Sequence, residues 1–431
     1  MNLESRILML SIHGYVGAEP ELGLPDTGGQ VVFVLRLAER LAQMGYDVDI
    51  VTRRFEDQPE LDDIGPRLRL WRVPFGGPEF IRKEDMHDHL DGFVAEFLAR
   101  AEEMGRRYTI VSSHYWDGGW AGQRIAEELD IPHIHTPHSL GWWKRKGMKG
   151  DVQQIESDYR FEERIHKEFL VYRRCDRVIA TTPQQVAILE KQYEVPSRHL
   201  AMIPPGIDER RYTPVPMAQV KSLRRTLGFQ QHDVYTVGRA AANKGYDLLI
   251  KALPTLREAV GDARLALAIG ADSTLDKRRV KRWQRLAAEL GVADHITWLG
   301  YIPDDQMADH YRAAPVFALP SRYEPFGMTA LEAMACGTAC VATVHGGLEE
   351  MFDFGGQALF ADPKRPQEFG VMLSMPLRYP RLRERLEIDG ARWARRTFGW
   401  RRIARRTVEV LEQAAEAHRG GDGSLTKPAA G

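Results

Sequence analysis

Short apolar runs alternate along this chain with longer segments whose apolar positions recur every three or four residues, the pattern of layered parallel α/β structure. In the first half, Arg6–Ser11, Asp47–Thr52, Ile110–Ser113, Ile134–Thr136 and Arg177–Thr181 read as strands, with an amphipathic helix from about Val31 to Met44. In the second, Tyr235–Val237, Arg264–Ile269, Ile296–Leu299, Val316–Ala318 and Cys340–Thr343 read as strands, and helices begin near Tyr246, Lys277 and Asp305. Between the blocks lies Ile203-Pro-Pro-Gly-Ile-Asp208, with Tyr212-Thr-Pro-Val-Pro216 behind it. Such Pro- and Gly-rich punctuation marks a boundary, so we expect one α/β domain over residues 1–210 and a second over 211–399. A last amphipathic helix runs from about Trp400 to His418, and residues 419–431 have the composition of a disordered tail.

Length agrees with two cores, since 431 residues exceed what one usually carries. The 59 Lys and Arg against 60 Asp and Glu give a net charge of −1, without the broad basic excess that a nucleic-acid binder requires. Arg395, Arg396, Arg401, Arg402, Arg405 and Arg406 read as a solvated or paired face of the terminal helices. Three cysteines, Cys175, Cys336 and Cys340, form no CxxC pair, which fits a reducing compartment and neither a disulfide framework nor structural zinc. No apolar run approaches membrane-spanning length and no signal-peptide core opens the chain, so we expect a cytoplasmic protein with no integral membrane segment.

Chemistry concentrates first in Ser321-Arg-Tyr-Glu-Pro-Phe-Gly-Met-Thr-Ala-Leu-Glu-Ala-Met-Ala-Cys-Gly337. Pro320 and Pro325 bracket a loop, and Met328 to Met334 reads as a helix, placing Glu324 just ahead of a helix N-terminus and Glu332 about two turns inside. Two acceptor-only carboxylates beside backbone N–H groups suit a ligand with sugar hydroxyls and phosphates. A capped surface helix carrying a stray acid is the plainer alternative. Upstream, Tyr235-Thr-Val-Gly-Arg-Ala-Ala-Ala-Asn-Lys-Gly245 delivers Arg239 and Lys244 into a strand-to-helix loop. A planar fork and a point charge so placed can neutralise a diphosphate. Two solvated cations would leave the same trace.

The first half carries Leu24-Pro-Asp-Thr-Gly-Gly-Gln30 ahead of its first helix. Asp26 or Thr27 can cap that helix, and Gly28 and Gly29 let backbone N–H groups approach a ligand. No GxGxxG follows the first strand, which argues against a nicotinamide dehydrogenase. Ser113-His-Tyr-Trp-Asp117 and His133-Ile-His-Thr-Pro-His-Ser-Leu-Gly141 follow predicted strands at the carboxyl edge, where α/β ligands bind. His133, His135 and His138 lack an acidic or cysteine companion at metal spacing, so no metal site is expected; the first two read as core or supporting residues. Asp47-Val-Asp49 sits within a strand and is a poor metal site.

Together these segments resemble retaining nucleotide-sugar glycosyltransferases of the GT-B architecture, two Rossmann-like domains facing across a cleft. The loop Asp26-Thr-Gly-Gly-Gln30 is similar to that of the sucrose-phosphate synthases. Within that group Thr52-Arg-Arg-Phe-Glu-Asp-Gln-Pro59 resembles the mannosylfructose-phosphate synthases, over about Ile7 to Thr407. The resemblance implies that His138, Arg239, Lys244 and Glu324 carry catalysis. It implies a donor site of Gly28, Gly29, Arg239, Lys244, Glu324, Phe326, Gly327, Met328, Thr329 and Glu332, with Glu332 on the nucleotide ribose. It implies an acceptor site of Gly29, Gln30, Lys83, His114, Tyr115 and Arg164, with Lys83 and Arg164 on a sugar phosphate. The terminal helix would pack back on the first domain. Mannose from GDP-mannose would be transferred to fructose 6-phosphate; glucose from UDP- or ADP-glucose onto the same acceptor is the alternative. Ala240-Ala-Ala242 and Gly270-Ala-Asp272 depart from the group's pattern near the donor.

The chemistry so implied is front-face transfer with retention, without a required cofactor, Mg2+ being an optional stimulant. A phosphatase acting on the product would be a natural partner. No pair of carboxylates spaced for a glycosidase-like nucleophile is apparent. A phosphorylase or sugar-nucleotide epimerase on the same frame would act without nucleotide or without acceptor, respectively. An idle sugar-nucleotide sensor would have lost Arg239, Lys244 or Glu324, and all three are present.

Overall fold

The computed structural model describes residues 6–18, 28–148, 150–271 and 273–420. The chain divides into two compact units, the described parts of Met1–Pro205 with Trp400–Gly431, and Gly206–Gly399. Residues 206–210, assigned to the first domain on their Pro/Gly punctuation, pack in the second. Ile207 N donates to Phe398 O at 2.8 Å, and Arg395 reaches Glu209 O. Backbone pairing with the end of that unit outweighs the local turn signal.

In the first unit the strands are β1 (Arg6–Leu10), β2 (Asp47–Arg54), β3 (Leu61–Gly65), β4 (Leu68–Pro74), β5 (Ile110–His114), β6 (His133–Thr136), β7 (Arg177–Ala180) and β8 (Leu200–Met202). They form one sheet in the order β3-β4-β2-β1-β5-β6-β7-β8, parallel except for β3, which runs antiparallel along β4. Because successive side chains alternate, Ile7, Met9, Val48 and Ile50 enter one core while Leu8, Leu10, Val51 and Val73 enter the other. The Trp400–Arg419 helix packs in the first of these cores, where Trp400, Ile403, Val410 and Leu411 meet Val31, Val34 and Leu41 of the Gly29–Gln43 helix.

The second unit has β9 (Asp233–Arg239), β10 (Arg264–Gly270), β11 (Ile296–Trp298), β12 (Val316–Leu319), β13 (Ala339–Thr343) and β14 (Leu359–Ala361). All are parallel, in the order β11-β10-β9-β12-β13-β14. Val234, Leu265, Val316 and Val341 lie in one core; Tyr235, Ala266, Phe317 and Cys340 lie in the other. Both faces are thus covered, as a parallel sheet requires. The strand order reverses beside β9, between β10 and β12, so the loops leaving β9 and β12 open at a topological switch point. All three cysteines are buried thiols.

Candidate active site

Two loops meet beyond the carboxyl ends of β9 and β12. The β9 loop passes through a 3-10 turn at Ala242–Lys244, and Gly245 then caps the Tyr246–Ala259 helix in the left-handed region, at φ 69°. A Cβ on Gly245 would stand 1.9 Å from Pro320 O, so only glycine lets the loops close this far. Arg322 staples them. Its N–H donates to Asn243 O at 2.7 Å, while Nη1 donates to Ala242 O at 2.9 Å and to Asp247 Oδ1 at 2.8 Å, with Nη2 on Asp247 Oδ2. Burial opposes ionisation of Asp247, yet this fork holds its carboxyl below the usual range. The Arg322–Asp247 pair was not singled out from sequence. Its only trace there is an Arg beside Glu324 and an acid in a helix first turn.

The staple brings Lys244 and Glu324 together. Lys244 Nζ donates to Glu324 Oε2 at 2.8 Å, and Ser321 Oγ donates to the same oxygen at 3.0 Å. The Glu324 backbone is held by its own N–H on His345 O at 2.9 Å. Arg239 is the exposed last residue of β9. Gly327, at φ 101°, caps the Met328–Ala335 helix, which Met328 and Thr329 open, and Phe326 is buried beside it. The helix begins at Met328 as expected, but Glu332 is its fifth residue and so lies little more than one turn in rather than two, at about 3.6 residues per turn. Its carboxylate accepts from Tyr311 Oη at 2.9 Å. Burial pushes its pKa up to about 7, against the pull of that hydrogen bond.

In the first unit the corresponding edge lies at the ends of β5 and β6. Tyr115 and His138 both take positive φ, 65° and 55°, a strained conformation for residues with side chains. His114 is fully buried, and its Nδ1 lies 2.9 Å from His138 Nε2. Burial drives His114 down to about 3 and, with His114 and His13 nearby, holds His138 well below 6.5, so both imidazoles are neutral. His133 and His135 both meet Ser113 Oγ, at 2.6 and 2.8 Å, inside the core.

Arg164 is buried: Nε donates to Glu168 Oε1 at 2.8 Å, Nη1 to Tyr115 Oη at 2.9 Å and Nη2 to Ser139 O at 2.8 Å. Lys83 is half-buried, with Glu84 Oε1 at 3.3 Å, and is close enough to Tyr115 to act on its phenol electrostatically, as Arg164 does. Tyr115 and Arg164 are therefore bonded to each other, and Lys83 biases the same phenol from farther off. Gly28 and Gly29 open the Gly29–Gln43 helix, and a Cβ on either would meet nothing within 4 Å. Gln30 Nε2 donates to Ser11 Oγ at 3.2 Å. Asp26 and Thr27, expected as caps, and Asp272 of the β10 loop lie outside the described residues. Among the described residues, no three His, Cys, Asp or Glu side chains are grouped to hold a metal ion, and no helix is long and apolar enough to cross a membrane.

This geometry has close relatives. Residues 27–211 match Glycosyltransferase Family 4, and residues 222–393 match Glycosyl transferases group 1. The chain is 46% identical over 414 residues to a mannosylfructose-phosphate synthase of Agrobacterium fabrum, covering 94% of this chain and 91% of the relative. It belongs to that family of GT-B glycosyltransferases. A D-inositol 3-phosphate glycosyltransferase of Xylanimonas cellulosilytica is 34% identical, with 95% of this chain and 97% of the other covered. Among solved structures, sucrose-phosphate synthase from Thermosynechococcus elongatus aligns with a TM-score of 0.81 at 28% identity, over 96% of this chain and 100% of that one. The chain is accordingly a nucleotide-sugar glycosyltransferase.

Proposed function

We propose that this glycosyltransferase moves mannose from GDP-mannose onto fructose 6-phosphate with retention at the anomeric carbon. The observation that carries this reading is the meeting of Lys244 and Glu324, 80 positions apart in sequence, at 2.8 Å beside exposed Arg239. A cation pair suits a diphosphate, and a carboxylate suits the hydroxyls of the sugar attached to it. The acceptor hydroxyl oxygen bonds to the anomeric carbon on the face from which the diphosphate departs, and its proton passes to the leaving phosphate oxygen. Charge grows on that diphosphate as its bond to carbon breaks, and contacts from Arg239 and Lys244 that strengthen with it lower the barrier. Lys83 holds the acceptor phosphate, with Arg164 shaping the same wall, while His138 orients the transferred sugar. Arg239 and Lys244 supply the positive charge that a divalent cation would otherwise bring. The choice of mannose and guanine rests on the 46% likeness to the Agrobacterium synthase.

The likeness to a solved sucrose-phosphate synthase supports a second reading, UDP- or ADP-glucose with the same acceptor. One panel separates the two: GDP-mannose, GDP-glucose, UDP-glucose and ADP-glucose, each with fructose 6-phosphate or fructose, with and without Mg2+, assayed for released nucleotide and product. Phosphate-free fructose serving as well as fructose 6-phosphate would overturn the acceptor assignment.

A further inference from the structure

Tyr246 has a buried hydroxyl that the site described above does not use. The residue is 1% exposed, and its Oη has no hydrogen-bond partner among the described residues. The ring packs edge-on to Trp283, with centroids 5.1 Å apart, an apolar setting that phenylalanine would fill equally well. A lone buried hydroxyl is a cost to folding, so its presence asks for a use.

Its position supplies one. A Cβ on Gly238 would stand 2.7 Å from Tyr246 Oη and 3.9 Å from Lys244 Cε, so the hydroxyl and the lysine stem flank the same side of Gly238. That stem ends in the ammonium bonded to Glu324. Glu324 and Arg239 both act on the phenol electrostatically; burial is the larger influence, raising its pKa and keeping the hydroxyl protonated, a donor. The carboxylate of Glu324 is the natural acceptor for it.

We propose that Tyr246 is a positioning residue for Glu324: its hydroxyl donates to the Glu324 carboxylate once a donor diphosphate draws the Lys244 ammonium toward itself. This rests on the donor-site reading above. One cation cannot serve the diphosphate fully and still neutralise Glu324, and a carboxylate left with Ser321 alone would be poorly held against the sugar. A reserve donor beneath Gly238 corrects that without another mobile charge.

Tyr246→Phe keeps the volume of the ring and removes only the hydroxyl. With the donor from the panel that the wild type turns over best, kcat/KM for the donor is expected to fall about tenfold or more, the scale of a lost hydrogen bond to a charged group. The melting temperature should hold or rise, and KM for fructose 6-phosphate should not move. Calorimetric binding of the same sugar nucleotide to Tyr246→Phe, Glu324→Ala and the double variant isolates the pair: on the Glu324→Ala background, removing the hydroxyl should change affinity less than about twofold. Wild-type donor kinetics in Tyr246→Phe, or an undiminished loss in the double variant, would overturn the assignment while leaving the glycosyltransferase reading intact. A wild type inactive with every donor of the panel would sink both.

Discussion

Lys244 donates to Glu324 across 2.8 Å, so a cation suited to phosphate and a carboxylate suited to sugar hydroxyls neutralise each other side by side. On the proposed reading, a sugar nucleotide would bring a diphosphate to Lys244 and sugar hydroxyls to Glu324, replacing their contact with each other. Lys244→Ala and Arg239→Ala should each cut turnover by at least about a hundredfold, the scale of one transition-state charge contact. Steady-state kinetics with saturating acceptor would check this, and near-normal turnover in either variant would refute the diphosphate assignment.

Arg322 touches neither Lys244 nor Glu324 through the bonds described, yet it ties their two loops together through Asn243 O, Ala242 O and Asp247. Arg322→Ala should therefore lower kcat by about tenfold or more, because loosening a positioned group by an ångström is enough to cost that much. Arg322→Lys, with a point charge in place of a fork, should recover little. Rescue by lysine to wild-type rates would mean that charge alone mattered.

The central strands were legible because they are short apolar runs covered on both faces, as at Val234–Val237 and Val316–Ala318. The strands missed lie toward the sheet margins or carry polar residues. β3 reads Leu-Asp-Asp-Ile-Gly on an edge, and in β4 Arg69 and Arg72 interrupt the apolar pattern. Arg72 is nevertheless buried, its two terminal nitrogens donating to Asp62 Oδ2 at 2.7 Å and to Pro59 O at 2.9 Å, a tertiary compensation that composition cannot display. The same holds in the site. Lys244 and Glu324 were recognisable as residue types, but their pairing depends on Gly245 closing against Pro320 O and on the Arg322 staple. Tyr246 looked like a helix start, and only its burial beside Gly238 exposes the unused hydroxyl.

Glu332 is the residue whose ionisation should be visible in the physiological range. Its pKa in the folded chain is raised to about 7, above the ordinary carboxylate value. The folded state thus holds the proton more tightly than the unfolded one between about pH 4.3 and 7. By linkage, its contribution to stability is greatest below the unfolded value and falls as pH rises through this window, levelling off above about 7. Glu332→Gln should remove that slope and be the more stable chain at pH 8, relative to pH 5, by up to about 3 kcal/mol in urea unfolding. The proposed ribose contact needs the charged form, so donor KM should fall as pH rises through about 7 in the wild type and stay level in the variant. A donor KM independent of pH in both would remove Glu332 from the ribose.

Lys83 and Arg164 both act on Tyr115, but their settings differ enough to separate binding from structure. Arg164 is 3% exposed and bonded to Glu168, which is 1% exposed, as well as to Tyr115 and Ser139. Removing it leaves the Glu168 carboxylate buried without its counter-charge, held by Gly141 N–H and Tyr193 Oη, so Arg164→Ala should destabilise the fold by about 3 kcal/mol. Lys83 is half-buried, and one of its partners, Glu84, is the adjacent residue. Lys83→Ala should leave the melting temperature nearly unchanged and raise KM for fructose 6-phosphate well above any change for the donor. Unphosphorylated fructose, if turned over at all, should be insensitive to the substitution, because it has no dianion to lose contact with. An acceptor KM unchanged in Lys83→Ala would place the sugar phosphate elsewhere, and a melting temperature that fell as far as in Arg164→Ala would make Lys83 a structural cation instead.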